Sequence, residues 1–312
     1  MRLVRSSFLM LAALLAGCGA DRIQGLSPSA SGPSLDRDDD RSSAAFTFTT
    51  IDVPGAVVTS ASGINARGDI VGTYRDGSRR SHGFLLRGDE FSTIDFPGST
   101  GTEARGIGPN GEIVGTYSLP GEPAVNIHGY LRTKTGDFIP VNAPGHTNTI
   151  VQRILPDGTL LGCRHDGDLM ASMRGITIGR RGYEEISQFA SMQNGGTPDG
   201  RRTVGLYTNE TVMPMRTEGY LLEDGEFTPF LVPGSTFTAA WDMNSSGEIV
   251  GVYGNLRGAH GFVREDDEYV SLDAPGATAT RAFGINSRGD VVGSFVAGGK
   301  THGFVARRDK GR

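Results

Sequence analysis

Residues 50–86 read TIDVPGAVVTSASGINARGDIVGTY, then the loop RDGSRR, then SHGFLL. Residues 272–305 repeat this stretch as LDAPGATATRAFGINSRGDVVGSF, a short loop and THGFV. The Pro-Gly pair recurs, and a Thr stands five residues after its proline, at Pro54, Pro97, Pro144, Pro233 and Pro275. The spacings are 43, 47, 89 and 42 residues, and the third equals two repeats. The chain therefore contains six repeats of about 44 residues, here called units 1–6.

Each unit has the pattern of four short β-strands. In unit 1 we expect them over Ala61–Asn65, Ile70–Tyr74, His82–Leu86 and Phe91–Asp95. Asn65 and Gly68, between the first two strands, have type I turn chemistry, and Gly68 can accept the positive φ that closes a hairpin. Short strands in units of this length are typical of a β-propeller with one blade per unit. The sequence predicts an all-β, six-bladed β-propeller of four-stranded antiparallel blades over residues 46–309, followed by a tail at 310–312.

The last unit lacks a strand that the first five units contain. Units 1–5 each end with a strand that begins on an aromatic residue, whereas unit 6 stops after His302-Gly-Phe-Val. The missing sequence stands at the front, where FTTID at residues 48–52 matches FSTID at residues 91–95. We therefore expect this N-terminal strand to complete the last blade beside residues 302–306 and to remove the exposed sheet edges.

The N-terminus has the pattern of an export signal. Arg2 and Arg5 precede a short apolar run that ends in Leu-Ala-Gly-Cys at residues 15–18. This ending resembles the bacterial lipobox, which implies that residues 1–17 are a lipoprotein signal peptide and that Cys18 is the lipid attachment site. Gly19 after the cysteine implies passage to the outer membrane, on its periplasmic or cell-surface side, with an extracellular location also open. Residues 18–45 have no apolar periodicity and are expected to form a disordered tether.

The repeat itself resembles a known family. The pattern Gly-Ile-Asn-x-x-Gly-Asp-hydrophobic-Val-Gly followed by His-Gly-Phe is similar to the extracellular HAF repeat, named for His-Ala-Phe. The resemblance covers about 260 residues, although units 3 and 4 carry Met173 and Glu218 in place of the histidine. It implies an exported bacterial repeat protein of a family without an assigned reaction.

Composition and motifs give little support for catalysis. The net charge is −5, and a nucleic-acid-binding protein would need a basic face. We expect no catalytic residue, no cofactor and no metal. The repeated histidines could form a metal-binding ring or could be structural, and the structural alternative is favoured because units 3 and 4 lack them; they are His82, His128, His260 and His302. Acids before the Pro-Gly pairs, such as Asp95, are expected to bind loop amides. Cys163 is interpreted as a buried strand residue, with a reactive thiol as the alternative.

The loops indicate which face would bind a ligand. The Pro-Gly loops and the loops between the second and third strands share one face, and the latter vary in length between units. Six residues that differ between units at equivalent positions there are the candidate ligand contacts: Glu103, Arg105, Gln152, Trp241, Arg281 and Phe283. An exposed Trp241 would suit a sugar ring or a peptide, whereas the favoured alternative is that Trp241 and Phe283 pack between blades.

Three functions follow from these patterns. The first is a monomeric binding or scaffolding module without catalytic activity, attached to the membrane by the lipid on Cys18, for a glycan, peptide or envelope protein. The second is a polysaccharide-active enzyme with its site at the propeller axis, which would need two nearby acids, and only Glu103 can be placed there. The third is a purely structural role.

Overall fold

The computed structural model describes residues 46–167, 172–180, 182–186 and 189–309, and within these ranges the chain is built from 24 β-strands. The predicted signal peptide, Cys18, the predicted tether and the predicted tail lie outside the described residues. No helix in the described part of the chain is long and apolar enough to span a membrane.

One strand precedes the repeat, units 1–5 contribute four strands each, and unit 6 contributes three. In chain order the strands are β1 (Phe46–Ile51); β2 (Val58–Ile64), β3 (Ile70–Arg75), β4 (Ser81–Arg87), β5 (Glu90–Ile94); β6 (Gly101–Ile107), β7 (Ile113–Ser118), β8 (His128–Arg132), β9 (Phe138–Val141); β10 (Asn148–Ile154), β11 (Leu160–His165), β12 (Arg174–Gly179), β13 (Gly182–Glu185); β14 (Ser191–Gly196), β15 (Arg202–Asn209), β16 (Arg216–Glu223), β17 (Glu226–Phe230); β18 (Phe237–Met243), β19 (Ile249–Asn255), β20 (Gly258–Glu265), β21 (Glu268–Leu272); β22 (Ala279–Ile285), β23 (Val291–Ala297), β24 (Lys300–Arg308).

The strands form a β-propeller. Units 2–5 are four separate antiparallel sheets in which each strand pairs with the next along the chain. The fifth sheet has eight strands and contains units 1 and 6, which meet at a single parallel bridge between Val58 and Thr301. In the same sheet β1 runs antiparallel to β24, with Phe46 opposite Arg308 and Ile51 opposite Gly303.

The first strand of unit 1 lies earlier in the chain than the sequence pattern predicts. It spans Val58–Ile64 and ends before Asn65. The Asn65 side chain explains this end, because its Oδ1 accepts hydrogen bonds from the amides of Arg67 (2.9 Å) and Asp69 (3.0 Å) inside the turn. Gly68 has the positive φ, +92°, that the turn chemistry predicts.

Apolar side chains fill the space between successive units. Val71 and Ile94 of unit 1 belong to the same buried cluster as Ala104 and Ile113 of unit 2. Another cluster joins Ala61 and Phe84 of unit 1 to Val292 and Val305 of unit 6. The first and last units therefore pack against each other through buried apolar surface, as neighbouring units do.

Three of the repeated histidines contact the aspartate that follows the fourth strand, whereas His128 Nε2 lies 2.7 Å from Glu122 Oε2 of the β7–β8 loop. His82 Nδ1 lies 2.9 Å from Asp95 Oδ1, and the same contact joins His260 to Asp273 at 2.8 Å. The expectation that these aspartates bind loop amides is wrong, because the repeated threonine takes that role: the Phe96 amide donates to Thr102 Oγ1 at 2.9 Å. The rings of these three histidines also stack on an aromatic ring of the second strand, such as Tyr74 beside His82, and the His128 ring is tilted by 32° against that of Tyr117. These contacts give the histidines a structural role, which is the alternative that the sequence favours.

Candidate functional site

The first strands of the units line the centre of the propeller. Each contacts the first strand of the next unit, and β22 of unit 6 contacts β2 of unit 1. Every one of these strands has a bulge, and the residue after the bulge is Gly in four units but Arg153 in unit 3 and Asp242 in unit 5. A Cβ on Gly106 would lie 2.5 Å from the carbonyl oxygen of Gln152. Glycine therefore lets neighbouring strands approach closely at the centre.

Arg153 and Asp242 fill this centre. Arg153 Nη1 donates to the carbonyl oxygen of Arg105 at 2.7 Å, and Nη2 donates to those of Ser62, at 3.1 Å, and Phe283. Its Nε lies 3.2 Å from Asp242 Oδ2. One guanidinium from unit 3 thus contacts units 1, 2, 5 and 6. Burial raises the pKa of the Asp242 carboxyl above its usual range, although the charge of Arg153 opposes this effect.

Towards the Pro-Gly face, the next layer of side chains is divided into a polar half and an apolar half. It consists of the cross-strand pairs between the first and second strands of each unit. The pairs in units 6, 1 and 2 are polar and those in units 3, 4 and 5 are apolar: Arg281–Ser294, Ser60–Thr73 and Glu103–Thr116, against Ile150–Cys163, Met192–Leu206 and Ala239–Val252. The asymmetry places different chemistry on the two sides of the axis.

The apolar half is core. Trp241 is 4% exposed, and its ring meets that of Phe283 edge-on with the ring centroids 5.2 Å apart. Both belong to the buried cluster that contains Met192 and Leu206. Neither ring offers the exposed surface that a sugar would need, so the packing alternative describes them. Cys163 lies in the same cluster, and burial raises the pKa of its thiol to about 12, which is the property of a buried strand residue rather than a reactive thiol.

Three other candidate residues form a polar network. Arg105 Nη2 lies 2.5 Å from Glu103 Oε2, and Arg105 Nη1 donates to Gln152 Oε1 at 3.3 Å. Gln152 is only 2% exposed, and its Nε2 contacts Met192 Sδ at 3.1 Å. The six residues expected at the site are thus divided: Glu103, Arg105 and Gln152 come together, Trp241 and Phe283 pack in the core, and Arg281 lies in the polar half.

A cleft of about 590 Å³ opens beside this network. Its floor includes Glu103, Arg105 and His165, and its walls are the β3–β4 loop of unit 1 and the longer β7–β8 loop of unit 2. Both loops connect the second and third strands of their units, where the sequence predicts variable binding surface. The cleft is therefore on the Pro-Gly face.

The cleft has an excess of positive charge. Its two acids are paired, Glu103 with Arg105 and Glu122 with His128 at 2.7 Å. Arg75 and Arg79 also line it, and neither side chain has a hydrogen-bond or ion-pair partner among the described residues. On a protein with a net charge of −5, a cleft with unpaired guanidinium groups favours an anionic ligand.

His165 is the least expected residue of the cleft. It is 1% exposed, and neither ring nitrogen has a hydrogen-bond partner within the described part of the chain. Burial lowers the pKa of the imidazole, so the ring is neutral at neutral pH and has one donor and one acceptor. Sequence reasoning missed His165, Arg75 and Arg79 as site residues. The available signal was the cluster of arginines in the unit 1 loop facing an unusually long loop in unit 2.

Comparisons with known proteins bear on the fold alone. No protein-family model matches the chain, and no curated protein matches it in sequence. A putative TolB from Agrobacterium tumefaciens is 12% identical, with 81% of this chain and 91% of that chain covered and a TM-score of 0.54. A mutant of AofleA from Arthrobotrys oligospora is 12% identical, covering 85% and 87%, with a TM-score of 0.52. The β-propeller domain of the Trilobed protease from Pyrococcus furiosus is 14% identical, covering 82% and 85%, with a TM-score of 0.49.

Proposed function

We propose that this protein is an exported β-propeller that acts as a non-catalytic binding or scaffolding module, with its ligand on the Pro-Gly face. The observation that carries the proposal is the cleft, where Arg75 and Arg79 have no partner among the described residues and the buried His165 has two unpartnered nitrogens. Buried polar groups are normally hydrogen-bonded, so unpartnered ones that line a cleft suit a ligand. Attachment to the outer membrane through a lipid on Cys18, as a monomer, belongs to the same proposal and has support from residues 15–18.

The proposal includes a ring of six blades that β1 closes. The eight-stranded sheet would then be two blades, units 1 and 6, that touch at one bridge. Support comes from the pairing of β1 along β24 and from the contact of His302 with Asp52 at 2.9 Å, which matches His82 with Asp95 in unit 1. The continuous series of contacts between first strands, from β2 to β22 and back, agrees with this arrangement.

Binding has more support than polysaccharide cleavage. Glycoside hydrolysis needs two carboxyl groups beside the bond, one of them with a raised pKa. The two acids of the cleft already have partners, because Glu103 pairs with Arg105 and Glu122 pairs with His128. Their contacts suit acids that orient cations at a binding site.

A thermal-shift screen tests the proposal. The full-length chain in mild detergent is heated with envelope and plant glycans, peptidoglycan fragments and calcium. A ligand that binds only the folded state adds about 2.7 kcal/mol of stability at a hundred times its dissociation constant. Arg80→Gln, in the wall of the cleft, should reduce the shift, whereas Lys134→Gln, an exposed residue in a turn on the other face, should not.

Two results would count against the proposal. A flat screen combined with no cross-linked partner in the envelope would contradict a binding role. If a Cys18→Ser chain stayed in the membrane fraction, that result would contradict the proposed lipid anchor.

A further inference from the structure

We infer that the cleft binds an anionic oligosaccharide and that Arg75 and Arg79 bind a carboxylate of a uronic acid residue in it. This inference rests on the proposed function and names its ligand class.

The first step is the charge of the cleft wall. Arg75 lies at the end of β3, and its Nε is buried without a hydrogen-bond partner among the described residues. A guanidinium group presents parallel N–H donors that match the two oxygens of a carboxylate. Arg79 lines the same cleft, is exposed and has no side-chain partner in the described ranges. The wall thus offers two guanidinium groups without a side-chain partner in the described part of the chain.

The second step is the mixture of polar and apolar groups around that charge. The His165 ring, 1% exposed, lies beneath this surface, and its two nitrogens have no hydrogen-bond partner among the described residues. Ser81 and Ser118 add hydroxyls at the cleft surface. Val125, which is 58% exposed, and Ile127 provide apolar surface for the C–H face of a sugar ring. A ligand with one charge, several hydroxyls and an apolar face matches all of these groups.

The third step distinguishes a sugar from an acidic peptide. An extended peptide often binds by adding a strand to a free sheet edge. The outer edge strands of units 1 and 2, β5 and β9, contribute no residue to the cleft. Side chains and loops form its surface instead, which favours recognition through hydroxyls and a carboxylate.

Calorimetric titration of the full-length chain in mild detergent tests the inference, with tetragalacturonate as the probe. Its fully methyl-esterified form has the same rings and linkage without the charge and should bind at least about tenfold more weakly. Arg75→Gln and Arg79→Gln should each weaken tetragalacturonate binding by about tenfold, since each removes one charged contact. Arg79 is in an exposed loop, so its variant remains informative if Arg75→Gln fails to fold. Arg307→Gln, an exposed arginine on β24 outside the cleft, is the matched control and should change nothing.

Equal binding of the ester, unchanged binding by both arginine variants, or tighter binding of tetraglutamate than of tetragalacturonate would overturn the inference. In each of these cases a ligand still binds, so the proposed binding function would stand. Failure of every probe would overturn the inference alone, and together with a flat thermal-shift screen and no cross-linked partner in the envelope it would contradict both.

Discussion

At the scale of single residues, two departures from the repeat decide how the centre of the propeller is filled. Four units place Gly after the bulge of the first strand, and glycine has no side chain to put there. Arg153 and Asp242 replace it and lie against each other, and Arg153 also donates to carbonyl groups of units 1, 2 and 6. One of these carbonyl groups belongs to Arg105, which also lies in the floor of the cleft, so Arg153 contacts a residue of the candidate site.

The first prediction concerns this ion pair. Arg153→Met should lower the free energy of unfolding by about 3–5 kcal/mol at neutral pH, because Asp242 would be left buried without its cation. Arg201→Met is the control: Arg201 also pairs with an aspartate, Asp224, but both are more than half exposed, and we expect no measurable change. Urea unfolding measures both.

The loss of stability in Arg153→Met should depend on pH. Burial raises the pKa of Asp242 in the folded chain, and loss of Arg153 would raise it further. A folded-state pKa above the unfolded value means that the folded chain takes up a proton more readily, so stability rises as pH falls through that range. The deficit of Arg153→Met relative to wild type should therefore shrink from pH 7 to about pH 5. A constant deficit would show that Asp242 does not carry the effect.

The sequence could predict some site residues and not others for a physical reason. Glu103 and Arg105 were accessible because they lie at two positions of the first strand where the residue differs between units. The sequence also favoured the packing of Trp241 and Phe283 in the core, but it could not identify Met192 and Leu206 of unit 4 as their partners, because those contacts depend on how two units pack. His165 was missed for the same reason: only the packing of unit 3 beside unit 2 brings it to the cleft.

At the scale of elements, short turns with fixed chemistry hold the strands while the longer loops vary. The Asn-x-x-Gly turn and the threonine that accepts from the Pro-Gly loop recur with the same contacts, as in Asn65 and Thr59 of unit 1. These local contacts involve residues close in sequence, which is why the repeat predicts the strands to within a few residues. The longer loops have no repeated local contacts of this kind, so the sequence could not predict the shape of the cleft between two of them.

The second prediction tests whether the β7–β8 loop contributes to ligand binding without contributing much to the stability of the fold. Residues 120–125 of the β7–β8 loop are all exposed, and replacing them with two glycines removes one wall of the cleft. Tetragalacturonate binding should fall by more than about tenfold, while the melting temperature changes by only a few degrees because exposed loops tolerate such changes. The same replacement of residues 210–215 in unit 4 is the matched control. Equal loss of binding in both variants would mean that the loop acts through the fold and not through the cleft.

At the scale of the whole molecule, both the axis and the Pro-Gly face depend on the ring being closed. The repeat predicts a propeller, and the strand pairing agrees with one. Closure by the two ends of the chain rests on a match between five residues at the front and the fourth strand of unit 1. In the structure β1 lies beside β24, and Thr47 Oγ1 donates to Asp309 Oδ1 at 2.5 Å.

The most direct test of closure is a cross-link between the ends. Thr47 and Arg307 are exposed and lie opposite each other in the β1–β24 register. Opposite residues on antiparallel strands have Cα atoms about 4.5–5.5 Å apart, within the reach of a disulfide. In a Cys18→Ser chain, Thr47→Cys with Arg307→Cys should form an intramolecular disulfide on mild oxidation and raise the melting temperature. Thr47→Cys with Arg87→Cys, the equivalent position of unit 1, should not cross-link. Free thiols in the first pair, in a chain that remains folded, would contradict a ring closed by β1.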